Sequence, residues 1–483
     1  MTEPRSIFSR DLLPVSIAIL ATAALASFQA LGMAAALPDI TADLGNVSLL
    51  PWTITVYLLA SSLATVVAGP FIDAIGVSRM FRLAVSVFAA AGFAIAFAPS
   101  MEVMVGLRAL EGLGAGLVIA TGTSAVSLAF PQHLVGRAYA ANASIWGVMG
   151  VAGPAVAALI LTFASWHWIF YINVPLGFGA LLAGWKTLPG AYGEAAGRFD
   201  LKGTLLLGAV TVGTLIAVDA FDFWSLVWLG AAGIALWIYV GHARRATTPV
   251  VRLEHIVPQP YRGLALSTGL ILAAVIAVDT YTPLYVRAGL EKSAGFTAWS
   301  VLPLTVGWTT GAILSSRMAD RHSESWVLLV GYMFTIPSLA IAWVLVVGQV
   351  SVFAAFAAFF GMGIGVGMAT NAALTLMRDV TDTAKIGRVA SAHLFARNQG
   401  FTLGSAIGGA VLLLVVALQL GDPELVRDLI ASPAGGGPAG AAAAVRAGFA
   451  TAIAVGLAIS IVGAFASTRL RRALTETRLT KRG

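Results

Sequence analysis

The amino-acid sequence predicts an all-α integral membrane protein that crosses the bilayer fourteen times. The chain of 483 residues is 58% hydrophobic and only 11% charged, and its mean hydropathy of +0.89 is far above that of soluble domains. Apolar runs of roughly 20 residues, the length a helix needs to cross a bilayer core, recur along the chain. Basic residues concentrate in alternate connecting segments, as the topology of membrane proteins requires.

The predicted spans follow one another with short connections. The first, near residues 13–38, is longer than the apolar part of a cleaved signal peptide and lacks a clear cleavage site, so we interpret it as a membrane span. The others are predicted near residues 48–72, 80–98, 103–127, 138–163, 168–186, 203–221, 224–241, 262–287, 297–318, 325–347, 351–377, 388–418 and 443–467. The outer loops then contain only the basic residues Arg287, Lys292, Arg427 and Arg446. This asymmetry predicts that both termini are cytoplasmic.

Features repeated eight spans apart indicate two related bundles. GPFIDAIGVSR follows the second span and SRMADRHSES follows the tenth, and each contains an aspartate and basic residues. The simplest arrangement is a six-helix bundle in residues 1–187, two additional helices with their linkers in residues 188–260, and a second six-helix bundle with a tail in residues 261–483. The Gly- and Ala-rich outer loop at residues 421–444 is interpreted as a connector rather than a binding lid.

Several classes of protein are excluded by residue types that are missing. The absence of cysteine excludes disulfides, thiolate metal sites and a cysteine nucleophile. The six histidines are scattered, and no GxxxxGK[ST] loop is present to bind a nucleotide phosphate. The net charge of +7 lies in the loops between spans and is explained by topology, so no nucleic-acid partner is expected. We therefore expect no enzyme, no metal and no cofactor.

An ordered series of motifs resembles the major facilitator superfamily, and in particular its fourteen-span drug:proton antiporters. The motifs are PWTITVYLLA in the second span, GPFIDAIG after it, LRALEGLGAG in the fourth, GVAGPAVAA in the fifth, and then SWHWIFYINVPLG and FDLKG. The resemblance implies a transporter in the cell's inner membrane that moves amphipathic small molecules in exchange for protons. The sequence leaves the oligomeric state open, and a monomer is favoured. The energy source would be the proton gradient.

The resemblance also assigns residues to conformational change. They are Gly69, Asp73, Gly76 and Arg79 after the second span, Asp320 and Arg321 in the corresponding loop of the second half, and Gly150, Gly153 and Pro154 in the fifth span. The glycines permit close helix contact, and the proline predicts a kink. Plain close packing is the alternative interpretation of the fifth-span residues.

Two positions depart from the family in a related way. The family has an aspartate in the first span where this chain has Gln29, and a glutamine in the fourth span where it has Glu111. We interpret Glu111 as a relocated carboxylate that serves proton coupling or substrate binding. Arg108, three residues earlier, shares its helix face and is expected to pair with it. The alternative is a neutralised pair that only sets helix packing.

Further polar and aromatic residues lie within the predicted spans. Asp279 has no basic residue at i±3 or i±4, which suits a carboxylate that binds a proton or a cation alternately; its alternative role is to cap a helix break before Pro283. For Arg397 and Asn398 an interhelix hydrogen-bond cluster is favoured over substrate contact. The aromatic residues proposed to line a cavity, or alternatively to pack or anchor, are Phe28, Tyr57, Tyr281, Tyr285 and Phe359.

Together these features predict proton-coupled export of amphipathic small molecules by alternating access. One alternative is a dedicated exporter of a lipid or metabolite, because the first-span aspartate is missing. A membrane receptor or enzyme that transports nothing is the other alternative, and the absence of a catalytic constellation and of a soluble domain argues against it.

Overall fold

The computed structural model describes residues 6–31, 33–46, 49–185, 187–188, 200–220, 223–292, 296–297, 299–420 and 440–480. All regular secondary structure in these ranges is helical, which confirms the predicted all-α class. The α-helices are α1 Leu13–Leu31, α2 Leu37–Leu44, α3 Leu50–Ile75, α4 Val77–Ile95, α5 Met101–Ala129, α6 Gln132–Phe163, α7 His167–Tyr171, α8 Asn173–Gly184, α9 Leu201–Ala220, α10 Phe223–Ala243, α11 Tyr261–Asp279, α12 Thr282–Leu284, α13 Leu302–Ala319, α14 Glu324–Val347, α15 Val352–Asp379, α16 Ile386–Leu420 and α17 Ala441–Thr480.

Each of the fourteen predicted spans coincides with helix, but not all of these helices meet the requirements for crossing a membrane. Within the described ranges, eleven helices are long and apolar enough, or twelve if the bent helix α6 is taken as one span. Within the described residues, helix α9 contributes the shorter apolar stretch Leu201–Thr214. Helix α13 has 18 residues and includes several threonines and serines. The count of fourteen therefore stays a prediction.

The chain packs into two compact units. The first contains Met1–Thr211, Ala235–Pro258 and Leu374–Phe395, and the second contains Val212–Ile234, Gln259–Ala373 and Ala396–Gly483. Large apolar side chains such as Phe163 (82% exposed) and Trp237 (77% exposed) point away from the helix packing. Such a surface fits contact with lipid. The domain boundaries inferred from the sequence stay a prediction.

Close contact between α3 and α5 organises the first unit. A Cβ atom added at Gly112 would overlap the backbone carbonyl of Tyr57, and one at Gly116 would overlap that of Ser61. Only glycine allows the two backbones to approach this closely. At the far end of α3, Gly76 turns the chain into α4 with a φ of 85°, a conformation that favours glycine.

The fifth-span residues lie in a bend. The two straight parts of α6, Gln132–Gly150 and Ala155–Phe163, are inclined by 48°. The bend coincides with the kink that the sequence predicts at Pro154. Gly153 is buried and Gly150 is partly buried, whereas the side chain of Pro154 lies outside the described part of the chain.

In the second unit, glycines bring α16 onto α11. Cβ atoms at Gly400, Gly404 and Gly408 would each overlap the backbone of α11. Helix α11 ends at Asp279. The chain continues through the short helix α12 and a π-helical turn, Tyr285–Gly289. Such helix interruptions within a membrane protein frequently mark functional sites.

Candidate functional site

Arg108 and Glu111 form a buried ion pair in the first unit. The Arg108 Nη1 atom lies 2.6 Å from Glu111 Oε2, and the two side chains are 1% and 0% exposed. Both residues lie on one face of α5, as their spacing predicts. A charge in this position is tolerated only with a partner or water nearby, and here the partner is in the same helix.

Arg108 has two further partners on α3. Its Nε atom donates a hydrogen bond to the Thr53 carbonyl oxygen at 3.0 Å. Its guanidinium carbon lies 4.2 Å from the centroid of the Tyr57 ring, which is a cation–π contact. Arg108 therefore keeps favourable contacts even when Glu111 is uncharged.

Glu111 has a second partner that the sequence analysis did not identify. The Asn173 Nδ2 atom on α8 donates to Glu111 Oε1 at 3.3 Å. Gly92 of α4 leaves room for this contact, because a Cβ atom there would lie 2.8 Å from Asn173 Nδ2 and 3.1 Å from Glu111 Oε1. A signal was present, since Asn173 is a polar residue within the motif YINVPLG. A lone amide is not enough to predict which carboxylate it contacts.

Gln29 is buried but does not bond to Glu111. Its Nε2 atom donates to the Ile169 carbonyl oxygen at 2.9 Å, and its Oε1 atom has no hydrogen-bond partner among the described residues. The structure therefore places the glutamine of α1 against α7, while the Glu111 carboxylate bonds to α5 and α8. The hypothesis that Glu111 replaces a first-span acid stays a prediction.

Asp279 is the last residue of α11 and is half-buried. Across the described ranges, its carboxylate makes no hydrogen bond and no ion pair, so it does not cap the helix break that follows. Next to it, the Tyr281 hydroxyl donates to the Ser405 carbonyl oxygen of α16 at 3.0 Å. This leaves a carboxylate at a broken helix end that is available to a cation or a proton.

The remaining predicted site residues of the second unit divide into two groups. Arg397 and Asn398 are half-buried, and their side chains make no hydrogen bond within the described part of the chain. The interhelix hydrogen-bond cluster favoured by the sequence is thus not formed by these two side chains, because α16 meets α11 here through glycine and backbone.

Tyr285 stacks on Phe449 with ring centroids 4.4 Å apart, and Phe359 meets the same ring edge-on at 6.3 Å.

All five predicted cavity aromatics are buried by packing. Phe28, Tyr57, Tyr281, Tyr285 and Phe359 are each 8% exposed or less. Their side chains contact other residues of their own units, as the alternative interpretation of packing aromatics requires. Whether any of them contacts a substrate stays a prediction.

Residues of the loop motif contact the start of α16 within the first unit. Asp73 Oδ2 accepts a hydrogen bond from the backbone N–H of Arg388 at 3.1 Å, and Arg388 Nε lies 3.5 Å from the same oxygen. A Cβ atom at Gly69 would lie 2.8 Å from the Gly387 carbonyl oxygen and from Ser391 Oγ. We call these five residues, Gly69, Asp73, Gly387, Arg388 and Ser391, the clasp.

A second set of contacts involves the end of α15, which precedes the clasp residues of α16 in the chain. Arg378 Nε, at the end of α15, donates to the Ser127 carbonyl oxygen of α5 at 3.2 Å, and Gln132 of α6 is hydrogen-bonded to Asp379. The segment from the end of α15 to the start of α16 is therefore attached to α3, α5 and α6. The other motif residues, Arg79, Asp320 and Arg321, are exposed.

Comparison with known proteins identifies the family. The profile described as Major Facilitator Superfamily matches residues 17–421. The chain belongs to the Major Facilitator Superfamily. It is therefore a multi-pass membrane transporter, and the family predicted from the motifs is confirmed.

Two relatives and one solved structure show how far the similarity extends. The chain is 24% identical to the multidrug transporter protein MdtP of Bacillus subtilis over 390 residues, 78% of this chain and 71% of the relative. It is 27% identical to the tetracenomycin C resistance and export protein of Streptomyces glaucescens over 423 residues, 85% and 76% of the two chains. The structure of the proton:xylose symporter XylE superposes with a TM-score of 0.62 at 13% identity, covering 94% of both chains. This last likeness concerns the fold alone.

Proposed function

We propose that the protein exports amphipathic small molecules from the cell in exchange for protons. The observation that carries the proposal is the buried Arg108–Glu111 pair, supported on three sides by Thr53, Tyr57 and Asn173. Names of relatives that include multidrug transport and drug export support the direction of transport. The inner membrane and cytoplasmic termini belong to this proposal, as do a monomeric state and the absence of a cofactor.

Glu111 is the proposed proton carrier. Protonation of its carboxylate removes the charge attraction to Arg108, but Arg108 keeps the Thr53 carbonyl and the Tyr57 ring as partners. The buried Arg108 cation therefore has a partner whether Glu111 is charged or neutral. A proton carrier that alternates between these two states requires such an arrangement. Asn173 offers Glu111 a hydrogen-bond donor, and it positions the carboxylate.

Asp279 is the proposed site for the substrate's positive charge. It is half-buried at the end of α11. Since the described residues provide its carboxylate with no basic partner, a lipophilic cation is a suitable ligand. Loss of the clasp contacts between Asp73 and Arg388 would accompany access from the cytoplasm, and Gly69, Gly76, Gly150, Gly153 and Pro154 serve the helix contacts that move.

Transport in sealed proteoliposomes tests the proposal. A pH gradient is imposed, and the accumulation of a lipophilic dye cation is followed for the wild type, Glu111→Gln and Asp279→Asn. We expect gradient-driven accumulation in the wild type and a fall to the level of protein-free liposomes in Glu111→Gln. Glu102→Gln is the matched control, because Glu102 lies on the same helix but is fully exposed. Wild-type transport with unchanged pH dependence in Glu111→Gln would contradict the proton-carrier assignment, and wild-type transport in Asp279→Asn would contradict the assignment of Asp279 to the substrate's charge.

A dedicated exporter of one metabolite or lipid is the second candidate. It is favoured by Gln29 in place of the family's first-span acid and by the relative named for tetracenomycin C export. Competition separates the two candidates: several unrelated lipophilic cations inhibit dye transport by a multidrug exporter, whereas a dedicated carrier is inhibited by few or none.

A further inference from the structure

The two additional helices, α9 and α10, are bound to the linker that follows them. We propose that Asp200 and Tyr239 are positioning residues through which these helices hold the clasp closed. This inference rests on the proposed transport function, because it assigns the helices a role in controlling access from the cytoplasm. All residues involved belong to the first unit.

Asp200 connects three segments. Its Oδ1 atom accepts the backbone N–H of Gly203 at 2.8 Å, which caps the N-terminus of α9. The same oxygen lies 2.7 Å from His242 Nε2 at the end of α10. Its Oδ2 atom accepts the backbone N–H of Val250 in the linker at 3.1 Å. One carboxylate, 8% exposed, thus joins both additional helices to the linker.

Tyr239 of α10 holds the next linker residue. Its hydroxyl donates to the Val251 carbonyl oxygen at 2.7 Å and accepts the Val251 backbone N–H at 2.9 Å. The Tyr239 side chain is 3% exposed, so these bonds are shielded from water. The backbone N–H and C=O of Val251 are thus both bonded to one hydroxyl, which fixes this residue against α10.

The linker residues that are held in this way pack against α3 and α16. Val250 and Val251 belong to one apolar cluster with Val66 of α3 and with Ala392 and Phe395 of α16. Ala392 directly follows Ser391 of the clasp. The linker therefore shares an apolar cluster with the turn of α16 that follows Ser391.

Charged residues extend the linker toward the clasp. In the short 3-10 turn Leu253–His255, Glu254 lies within electrostatic range of Lys385, and His255 lies within the range of Arg388. Burial lowers the pKa of His255 to about 4. The imidazole is therefore neutral at cytoplasmic pH and adds no repulsion to the arginine of the clasp.

These contacts give the additional helices a mechanical role. Moving α16 away from α3 would open the cluster that contains Val250 and Val251, and the Asp200 and Tyr239 bonds resist movement of these two residues. Since the net contribution of one buried hydrogen bond corresponds to about a fivefold change in an equilibrium, losing one should raise the open fraction of the clasp by about fivefold.

Alkylation of an introduced thiol measures clasp opening directly. The chain has no cysteine. Ser391 is 1% exposed and lies against Gly69, so Ser391→Cys provides one buried thiol as a reporter. The protein in proteoliposomes is treated with N-ethylmaleimide, and the rate of modification is read by mass spectrometry. This readout needs no transport, whereas dye accumulation by the same Ser391→Cys protein tests the proposed function separately.

Two variants on the Ser391→Cys background test the inference. Asp200→Ser keeps an N-cap for α9 but loses the bonds to His242 and Val250; Tyr239→Phe keeps the ring and loses both bonds to Val251. Tyr171→Phe is the matched control, because Tyr171 makes ring contacts and no hydrogen bond through its hydroxyl within the described residues.

We expect alkylation about fivefold faster or more in Asp200→Ser and Tyr239→Phe, and unchanged in Tyr171→Phe. Dye transport should also change in the two test variants while the unfolding temperature stays close to that of the parent. The inference is overturned if Tyr239→Phe and Asp200→Ser label at the parent's rate. It is equally overturned if the parent labels as fast as denatured protein, or if a lower unfolding temperature is the only change.

Discussion

Neutralising Glu111 should destabilise the folded protein more than neutralising its ion-pair partner Arg108. The guanidinium cannot lose its proton in a protein, whereas a carboxylate can take one up. Glu111→Gln therefore leaves a buried cation without its counter-ion, while Arg108→Gln leaves an acid that can become neutral. The pair is suited to this test because both side chains are almost fully buried, 1% and 0% exposed.

The structure sets the expected magnitudes. Breaking a buried ion pair on one side costs about 3–5 kcal/mol. In Glu111→Gln the cation keeps the Thr53 carbonyl and the Tyr57 ring, so we expect the lower limit, about 3 kcal/mol. In Arg108→Gln the neutral acid keeps the Asn173 donor, and we expect about 1–2 kcal/mol.

The double variant provides the decisive comparison. Arg108→Gln with Glu111→Gln contains no buried charge at this position, and two amides can replace the ion pair by a neutral hydrogen bond. We expect it to be destabilised by about 1–2 kcal/mol, well below the sum of the single variants. Equilibrium unfolding in mixed micelles measures all four proteins. Equal single effects that add in the double variant would refute the reasoning, because they would show that the two charges do not interact.

Three further predictions concern packing, pH and the clasp. Gly112→Ala should destabilise α5 by about 1–3 kcal/mol, since the added methyl overlaps the Tyr57 carbonyl. Gly106→Ala, with no atom within 4 Å, should be neutral or slightly stabilising in the same unfolding assay. Burial lowers the pKa of His255 from 6.5 to about 4. The unfolded chain therefore binds the proton first, and stability falls as the pH drops below 6.5. We expect a loss of about 1 kcal/mol at pH 5, discounted for partial solvation, that is missing in His255→Gln. Asp73→Asn loses the charge that faces its arginine partner, and we expect the Ser391→Cys reporter to be alkylated about fivefold faster or more; an unchanged rate would mean that this charge does not hold the clasp.

Much of the fold follows from local properties of the sequence. Each span predicted from the apolar runs coincides with helix, because the length and polarity of a span are imposed by the bilayer itself. The spacing of Arg108 and Glu111 predicts their ion pair, since side chains three residues apart share a helix face. The bend of α6 coincides with Pro154 for an equally local reason, the missing backbone N–H.

The partners contributed by other helices could not be predicted in this way. Asn173 lies 62 residues from Glu111, and Arg388 lies 315 residues from Asp73. Which of many polar side chains meet depends on how the helices rotate and slide against one another. That choice is made by glycine contacts and apolar packing between distant segments, which no local periodicity encodes.

The sequence alone therefore determined that this protein is a helical membrane transporter of a recognisable family, and it identified the buried charges. The tertiary structure alone decided what those charges touch: Glu111 between Arg108 and Asn173, Asp279 with no described partner, and Asp200 between two helices and a linker. The physical reason is that membrane insertion depends on the average polarity of each segment. The contacts of one carboxylate instead depend on the positions of single atoms from several segments.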